Sequence, residues 1–222
     1  MKLYFPRSNS ELTHFQRLLR RLEQNVLRMG ALVESSFRLS HQALFERKLE
    51  TAHEIILLDE KIDRYYRKIE LECTTLLALQ TPAAQDLRVI SAFLQLVRDL
   101  ERIGDYAEDL AEIAVKLFPY QPHVCLPEIE VMSNQAQAML AASLSALGDL
   151  DANAGCNINL LDDQVDSAYD RVYQTLAQER DFEGVVEPIL LLGLAIRHLE
   201  RMADHATNIG KRVTYIVTGY SN

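Results

Sequence analysis

The chain has 222 residues, 48% of them hydrophobic and 25% charged, a globular balance that excludes intrinsic disorder and collagen-like repeats. Only 8 Gly and 6 Pro punctuate it and Trp is absent, too few turn residues for a sandwich or barrel of many short strands, so long helices are favoured. A formal net charge of −9 opposes attraction to phosphate backbones and to anionic bilayers, which argues against nucleic acid as a partner.

From Ser10 to about Lys48 no proline occurs, and Leu12, Phe15, Leu19, Leu22, Val26, Met29, Val33 and Ser36 recur at alternating spacings of three and four. That pattern predicts one long helix with a single apolar stripe. A second periodic segment runs from about Thr51 to Leu79 through Ala52, Ile55, Ile56, Ile62, Tyr66, Ile69 and Leu76. Thr81 then reads as an N-cap with Pro82 at the first helical position of a third helix, about Pro82 to Leu117. Its inward residues are expected to be Leu87, Ile90, Leu94, Val97, Gly104, Ala107, Ala111 and Ala114. The run FPYQPHVCLP has no helical period and reads as a connection. Three more helices are predicted after it, about Glu128 to Leu147, Asn153 to Gln178 and Gly184 to Thr218.

The two halves repeat each other. LDEKIDRYYRKI (Leu58 to Ile69) aligns without gaps on LDDQVDSAYDRV (Leu161 to Val172), and RDLERIGDYAEDLAEIA (Arg98 to Ala114) aligns on RHLERMADHATNIGKRV (Arg197 to Val213). The offsets are 103 and 99, a difference that an inter-helix loop absorbs. The expectation is an all-α protein of six long helices in two tandem homologous three-helix bundles, residues 1–118 and 128–222, joined by a Pro-rich connection at 119–127.

Each half carries two acidic pairs spaced i, i+4: Asp59 with Asp63 and Glu101 with Asp105, then Asp162 with Asp166 and Glu200 with Asp204. On a helix this spacing stacks both carboxylates on one face, where they repel by a few tenths of a kcal/mol per pair unless something positive sits between them. Two explanations compete. Arg98, Arg102, Arg197 and Arg201 could neutralise a solvated face through helical salt bridges. Alternatively, two helices of one bundle present four hard oxygen donors to a cation such as Mg²⁺, Mn²⁺ or iron. Asp109 and Asn208 extend the two stripes by one more oxygen donor each, and Glu60 and Asp163 sit beside them.

The strings DLRVISAFLQLVRDLERIGDYAEDLAEIA and RHLERMADHATNIGKRVTYIVTG, with the duplicated D-x-x-x-D segments, resemble the signature helices of the PhoU family, accessory proteins of the phosphate-specific transport system. The resemblance spans essentially the whole chain. It implies two three-helix bundles and multinuclear clusters of divalent or trivalent metal ions, with iron, manganese, zinc and magnesium all open. The implied ligands are Asp59, Asp63, Glu101, Asp105 and Asp109 in the first half and Asp162, Asp166, Glu200, Asp204 and Asn208 in the second. It further implies a negative regulator of the phosphate-starvation response and of phosphate uptake, without catalytic activity. Such a protein would be an adaptor between the nucleotide-binding subunit of a phosphate ABC transporter and a membrane sensor histidine kinase, and a homodimer. The first half departs from the family's HATNI run, with Tyr106 and Asp109 in place of His and Asn, which leaves it more acidic and leads to an expectation of tighter metal binding there.

Other readings are an accessory protein of a different phosphate permease, a plain scaffold without metal, or a carboxylate-bridged di-metal oxidase. The last would need the ExxH matches at Glu11/His14 and Glu50/His53, which do not recur in the second half. His205 lies about 100° around the helix from Asp204 and is not expected in the ligand stripe. Cys73, Cys125 and Cys156 show no CxxC or CxxH spacing, which suits a reduced compartment, and Cys73 is expected in the core. The opening MKLYFPRSNSELTHF has no signal-peptide pattern, and the longest apolar stretch, Ile189 to Ile196, is far short of the ~20 residues of a membrane span, so a soluble cytoplasmic protein is expected. Gly104 and Gly193 are expected at close helix contacts.

Overall fold

The computed structural model describes residues 13–79, 82–179 and 185–220. Among these the regular structure is six α-helices: α1 (His14–Phe45), α2 (Glu50–Leu79), α3 (Ala84–Leu117), α4 (Leu126–Asp149), α5 (Ala152–Ala177) and α6 (Glu187–Thr218). Four of the starts have a local cause. Thr13 caps α1 and forms a reciprocal capping box with Gln16. The Asp151 carboxylate accepts from the amides of Asn153 and Ala154 at the head of α5. Pro127 and Pro188 occupy the first turns of α4 and α6, where the missing N–H is no loss. Gly219 ends α6 in the left-handed conformation (φ 82°). At α3 the expected cap is displaced: Thr81 lies outside the described residues, the N-cap is Ala83 without a side-chain bond, and Pro82 precedes the helix.

Helices α1, α2 and α3 pack on one another, as do α4, α5 and α6, and the two groups are joined lengthwise by α3 against α6 and α1 against α4. The α1 stripe from Phe15 to Ser36 is buried as the periodicity demands, and Cys73 is wholly buried. Burial pushes its thiol up to about 12, which leaves it inert. Two stripe assignments fail: Ile56 and Leu87 are each 47% exposed, because Ile56 points about 100° away from buried Ile55, and Leu87 lies on the heptad row of half-buried Leu94 and Glu101 rather than on that of buried Phe93 and Leu100.

The repeat is visible as size compensation at equivalent contacts. In the first half Gly104 lies under Ile62, with Cδ1 3.2 Å from where a Cβ would stand. The equivalent pair in the second half is Ala203 with Val165, one carbon more on α6 and one fewer on α5. At Gly155 and Gly210 each added Cβ would meet the other's carbonyl oxygen, at 2.7 and 2.8 Å, so α5 and α6 approach to backbone contact. The first half has Ala52 and Ala111 at these positions. Gly193 departs from expectation, since nothing lies within 4 Å of its Cβ position.

These two glycines should therefore respond oppositely to alanine. Gly210→Ala is expected to cost about 1–3 kcal/mol by forcing the helices apart. Gly193→Ala is expected to stabilise by about 0.5–1 kcal/mol through helix propensity alone. Urea denaturation of both variants checks this; a shared sign would contradict the contact assignment.

Candidate metal centre

The apolar faces of α2 and α3 fix their rotation. Ile55, Ile62 and Ile69 of α2 are buried, as are Val97, Leu100, Ile103 and Ala107 of α3, which leaves the acidic residues along the outer groove between the helices. Asp59 and Asp63 therefore confront Glu101 and Asp105. Burial raises the Asp59 carboxyl, with Asp63 and Glu60 adding to it. Glu101 is raised by burial, and by Asp63 and Asp59 against the relief of Arg102. Asp105 is pushed up to about 6, first by burial and then by Glu101, Asp59 and Asp63.

The second half repeats the arrangement on α5 and α6. Asp162 is raised by burial, then by Asp166 and Asp204, while Asp166 is raised by burial and by Asp204. Glu200 is raised by burial and by Asp204, against Arg197. In both halves the paired carboxylates of one helix thus lie in the field of the pair on the next, and each group of four forms one acidic ladder.

Arginines answer part of this charge. Arg67 binds Asp63, Arg102 lies 3.2 Å from Asp105 and 3.6 Å from Glu101, Arg197 lies 2.8 Å from Glu200, and Arg201 lies 3.9 Å from Asp204. Arg98 enters no such pair among the described residues, contrary to the salt-bridge reading of it. Among the described residues no three His, Cys, Asp or Glu side chains close on one point. The donor set nevertheless suits a hard cation. Every ladder member supplies carboxylate oxygen, Asp59, Glu101, Asp105, Asp162, Asp166 and Glu200 hold protons more tightly than free carboxyls, first through burial and then through their acidic neighbours, and Asp162 Oδ1 is buried with no hydrogen-bond partner among the described residues.

Two positions missing from the expected stripes belong to this surface. Glu108 is raised by burial and next by Asp59, with Asp63 further down the order, so it faces the first ladder. Its repeat equivalent, Thr207, sits beside Asp162 and eases that carboxyl, although the Thr207 hydroxyl, like Asp162 Oδ1, lacks a well-formed hydrogen bond. The signal was present in the i+3 spacing from Asp105 and Asp204, which shares a helix face as well as i+4 does. Asp109 and Asn208, placed in the stripes from i+4 spacing, turn toward the α3–α6 seam. Asn208 donates to Asp99 (3.4 Å), and Asp109 lies 3.9 Å from His198. His205 lies outside the ladder, bonded through Nδ1 to Asp99 at 2.8 Å. Of the ExxH residues, His14, Glu50 and His53 are exposed and Glu11 lies outside the described residues.

A family model for the PhoU domain matches the chain twice, over residues 26–114 and 129–213. A phosphate-specific transport system accessory protein PhoU homolog from Synechocystis sp. is 64% identical over 212 residues, which make up 96% of this chain and 95% of the relative. The like-named protein of Pseudomonas aeruginosa is 33% identical, over 96% of this chain and 90% of its own. Among solved structures, PhoU from Pseudomonas aeruginosa matches with a TM-score of 0.88 at 31% identity, covering 93% of this chain and 100% of that one. The phosphate transport system regulatory protein PhoU from Streptococcus pneumoniae matches at 0.85 and 30% identity, covering 94% and 99%. These relatives are named as accessory and regulatory proteins rather than as enzymes.

The ladder geometry fixes a pH dependence. Asp105 binds its proton more tightly folded than unfolded, so its contribution favours folding at low pH and is lost as pH rises from the ordinary value of 3.8 through about 6. In chelator-treated protein, Asp105→Asn is expected to raise stability at pH 7 by about a few tenths of a kcal/mol relative to the parent at this half-exposed position, seen as a small rise in melting temperature, and to leave it unchanged at pH 4. Melting curves of both proteins across pH 4–7.5 check this, and parallel curves would contradict it.

Proposed function

The chain belongs to the PhoU family, and from that premise we propose that it is the accessory protein of a phosphate-specific transport system, a regulator and not a catalyst. The supporting observation is the likeness to the Synechocystis accessory protein, 64% identity along nearly the whole of both chains. In our reading it acts on the cytoplasmic side as an adaptor between the transporter's nucleotide-binding subunit and a sensor histidine kinase, and it restrains phosphate uptake and the starvation response. Among the described residues no helix is long and apolar enough to cross a membrane, so contact with a membrane system falls to protein partners.

The ladders supply the control in this reading. Asp59, Asp63, Glu101, Asp105 and Glu108 would hold one cation or cluster, and Asp162, Asp166, Glu200 and Asp204 the other, with Thr207 beside it. A bound ion neutralises the carboxylates and releases the arginines that now answer them. The long acidic face then no longer repels other acidic surfaces, and docking becomes a function of metal occupancy. The protein's own residues supply the oxygen donors, their spacing and their mutual repulsion, which makes cation binding favourable.

Glu108 gives the first ladder a carboxylate where the second has only the Thr207 hydroxyl, so the first is expected to hold metal more tightly. Metal analysis of Glu101→Gln and Glu200→Gln, after limited chelation, should show the larger residual metal in the Glu200 variant; equal residues would remove the asymmetry. For the adaptor role, purified nucleotide-binding subunit and kinase cytoplasmic domain are tested for binding to metal-loaded and chelator-treated protein. The loaded form is expected to bind at least tenfold more tightly, and equal affinity would defeat metal control.

A further inference from the structure

Helices α3 and α6 run antiparallel, and the sum of facing residue numbers stays constant from Arg88 with Gly219, through Asp99 with Asn208, to Asp109 with His198. The contact of Asp99 with Asn208 therefore recurs across a local twofold axis as that of His198 with Asp109. Asp99 is the counterpart of His198, Asp109 of Asn208, and Tyr106 of His205, and the Tyr106 ring lies 5.2 Å from His198 and 6.0 Å from His205. Where α2 leaves this seam open there is a cleft of about 800 Å³, within the range of about 300–1,000 Å³ typical of small-molecule sites.

The cleft is basic in an acidic protein. Arg98, Arg102, Arg201 and Arg212 line it from α3 and α6, against the carboxylates of Glu70 and Asp99. Asp99 is occupied by His205 and Asn208. Arg102 and Arg201 are repeat equivalents, each leaning back on its own ladder at Asp105 or Asp204, so one arginine from each half reaches this place. Arg98 and Arg212 form no ion pair within 4 Å among the described residues, although Arg98 lies close enough to Glu101 to lower that carboxyl. The Nε of Arg212 and the Nε2 of His205 are buried with no hydrogen bond among the described residues. On the α2 wall the half-buried Tyr66 adds an aromatic face.

Guanidinium forks bind phosphoryl oxygens two at a time, and several around one space suit several adjacent phosphoryl groups rather than a single orthophosphate. The overall charge of −9 is damped beyond a Debye length of about 8 Å at physiological salt, so the local arginines govern close approach. We propose that the cleft between α2, α3 and α6 is a binding site for a small anion carrying two or more phosphoryl groups, free or borne on a nucleotide. The site shares Arg102 and Arg201 with the metal ladders, whereas Arg98 and Arg212 belong to it alone, so binding does not require the ladders to be loaded.

The test uses full-length protein with its metal removed and chelator present, so that no anion binds through a cation. Calorimetric titration with pyrophosphate and with ATP, at fixed ionic strength, is expected to show saturable binding of one or both. Arg98→Gln and Arg212→Gln should each weaken it about tenfold or more, the loss of one charge-assisted pair. Arg171→Gln, which removes an arginine paired with Glu128 on another face, should leave it unchanged. Tyr66→Ala weakens ATP and spares pyrophosphate if the ligand is nucleotide-borne, and spares both if it is free. Circular dichroism verifies folding, and Arg98 is exposed, so its replacement leaves the core intact. The proposal is overturned by absence of saturable binding, by equal binding of sulfate or of orthophosphate alone, or by affinity unchanged in the Arg98 and Arg212 variants.

Discussion

The molecule is organised around carboxylates held close together against their own repulsion. Apolar residues on the opposite faces of α2, α3, α5 and α6 set the rotation of those helices, and the acidic pairs have no freedom to separate without unpacking Ile62 from Gly104 or Val165 from Ala203. Burying these apolar side chains is worth about 1.5–3 kcal/mol each, whereas each like-charge pair on a helix costs only a few tenths. The core therefore wins, and a partly buried, mutually repelling surface remains, with Asp105 pushed up to about 6 first by burial and then by its acidic neighbours, and with Asp162 Oδ1 unpartnered among the described residues. A cation is the species that relieves it most directly.

Duplication explains why the two ladders are oriented as they are. Because α3 and α6 pair antiparallel at a constant register, one local axis relates the halves and places the seam residues Asp99, Tyr106, His198 and His205 at the middle. One arginine from each ladder, Arg102 and Arg201, then reaches the seam. One geometric fact thus generates both an acidic outer surface and a basic cleft, in a chain whose net charge alone suggests only acidity.

Much of this was legible in the residues. The three-four spacing of apolar positions in α1, the gapless repeat of LDEKIDRYYRKI and the two LER strings carried the helix count, the duplication and the facing of the acidic pairs. What escaped is physical in origin. Adjacent residues point about 100° apart on a helix and packing alone selects which apolar row is buried, so Ile56, beside buried Ile55, and Leu87, on the row of half-buried Leu94, emerge at the surface. Positions i+3 and i+4 share a face, and only the packing angle decides that Glu108 and Thr207 look to the ladder while Asp109 and Asn208 look to the seam. Capping at Ala83 rather than a hydroxyl residue, and open space beside Gly193, depend on neighbours that no local pattern specifies. The cleft draws on three helices and both halves, and so had no linear signature.

Control by metal occupancy requires cations to gather at both ladders. Crystals grown with Mn²⁺ and measured at the manganese absorption edge test it directly. The predicted result is anomalous density in two places, one flanked by Asp59, Asp63, Glu101 and Asp105 and the other by Asp162, Asp166, Glu200 and Asp204. Density confined to other surfaces, or none in crystals whose protein keeps its arginines on these carboxylates, would contradict it.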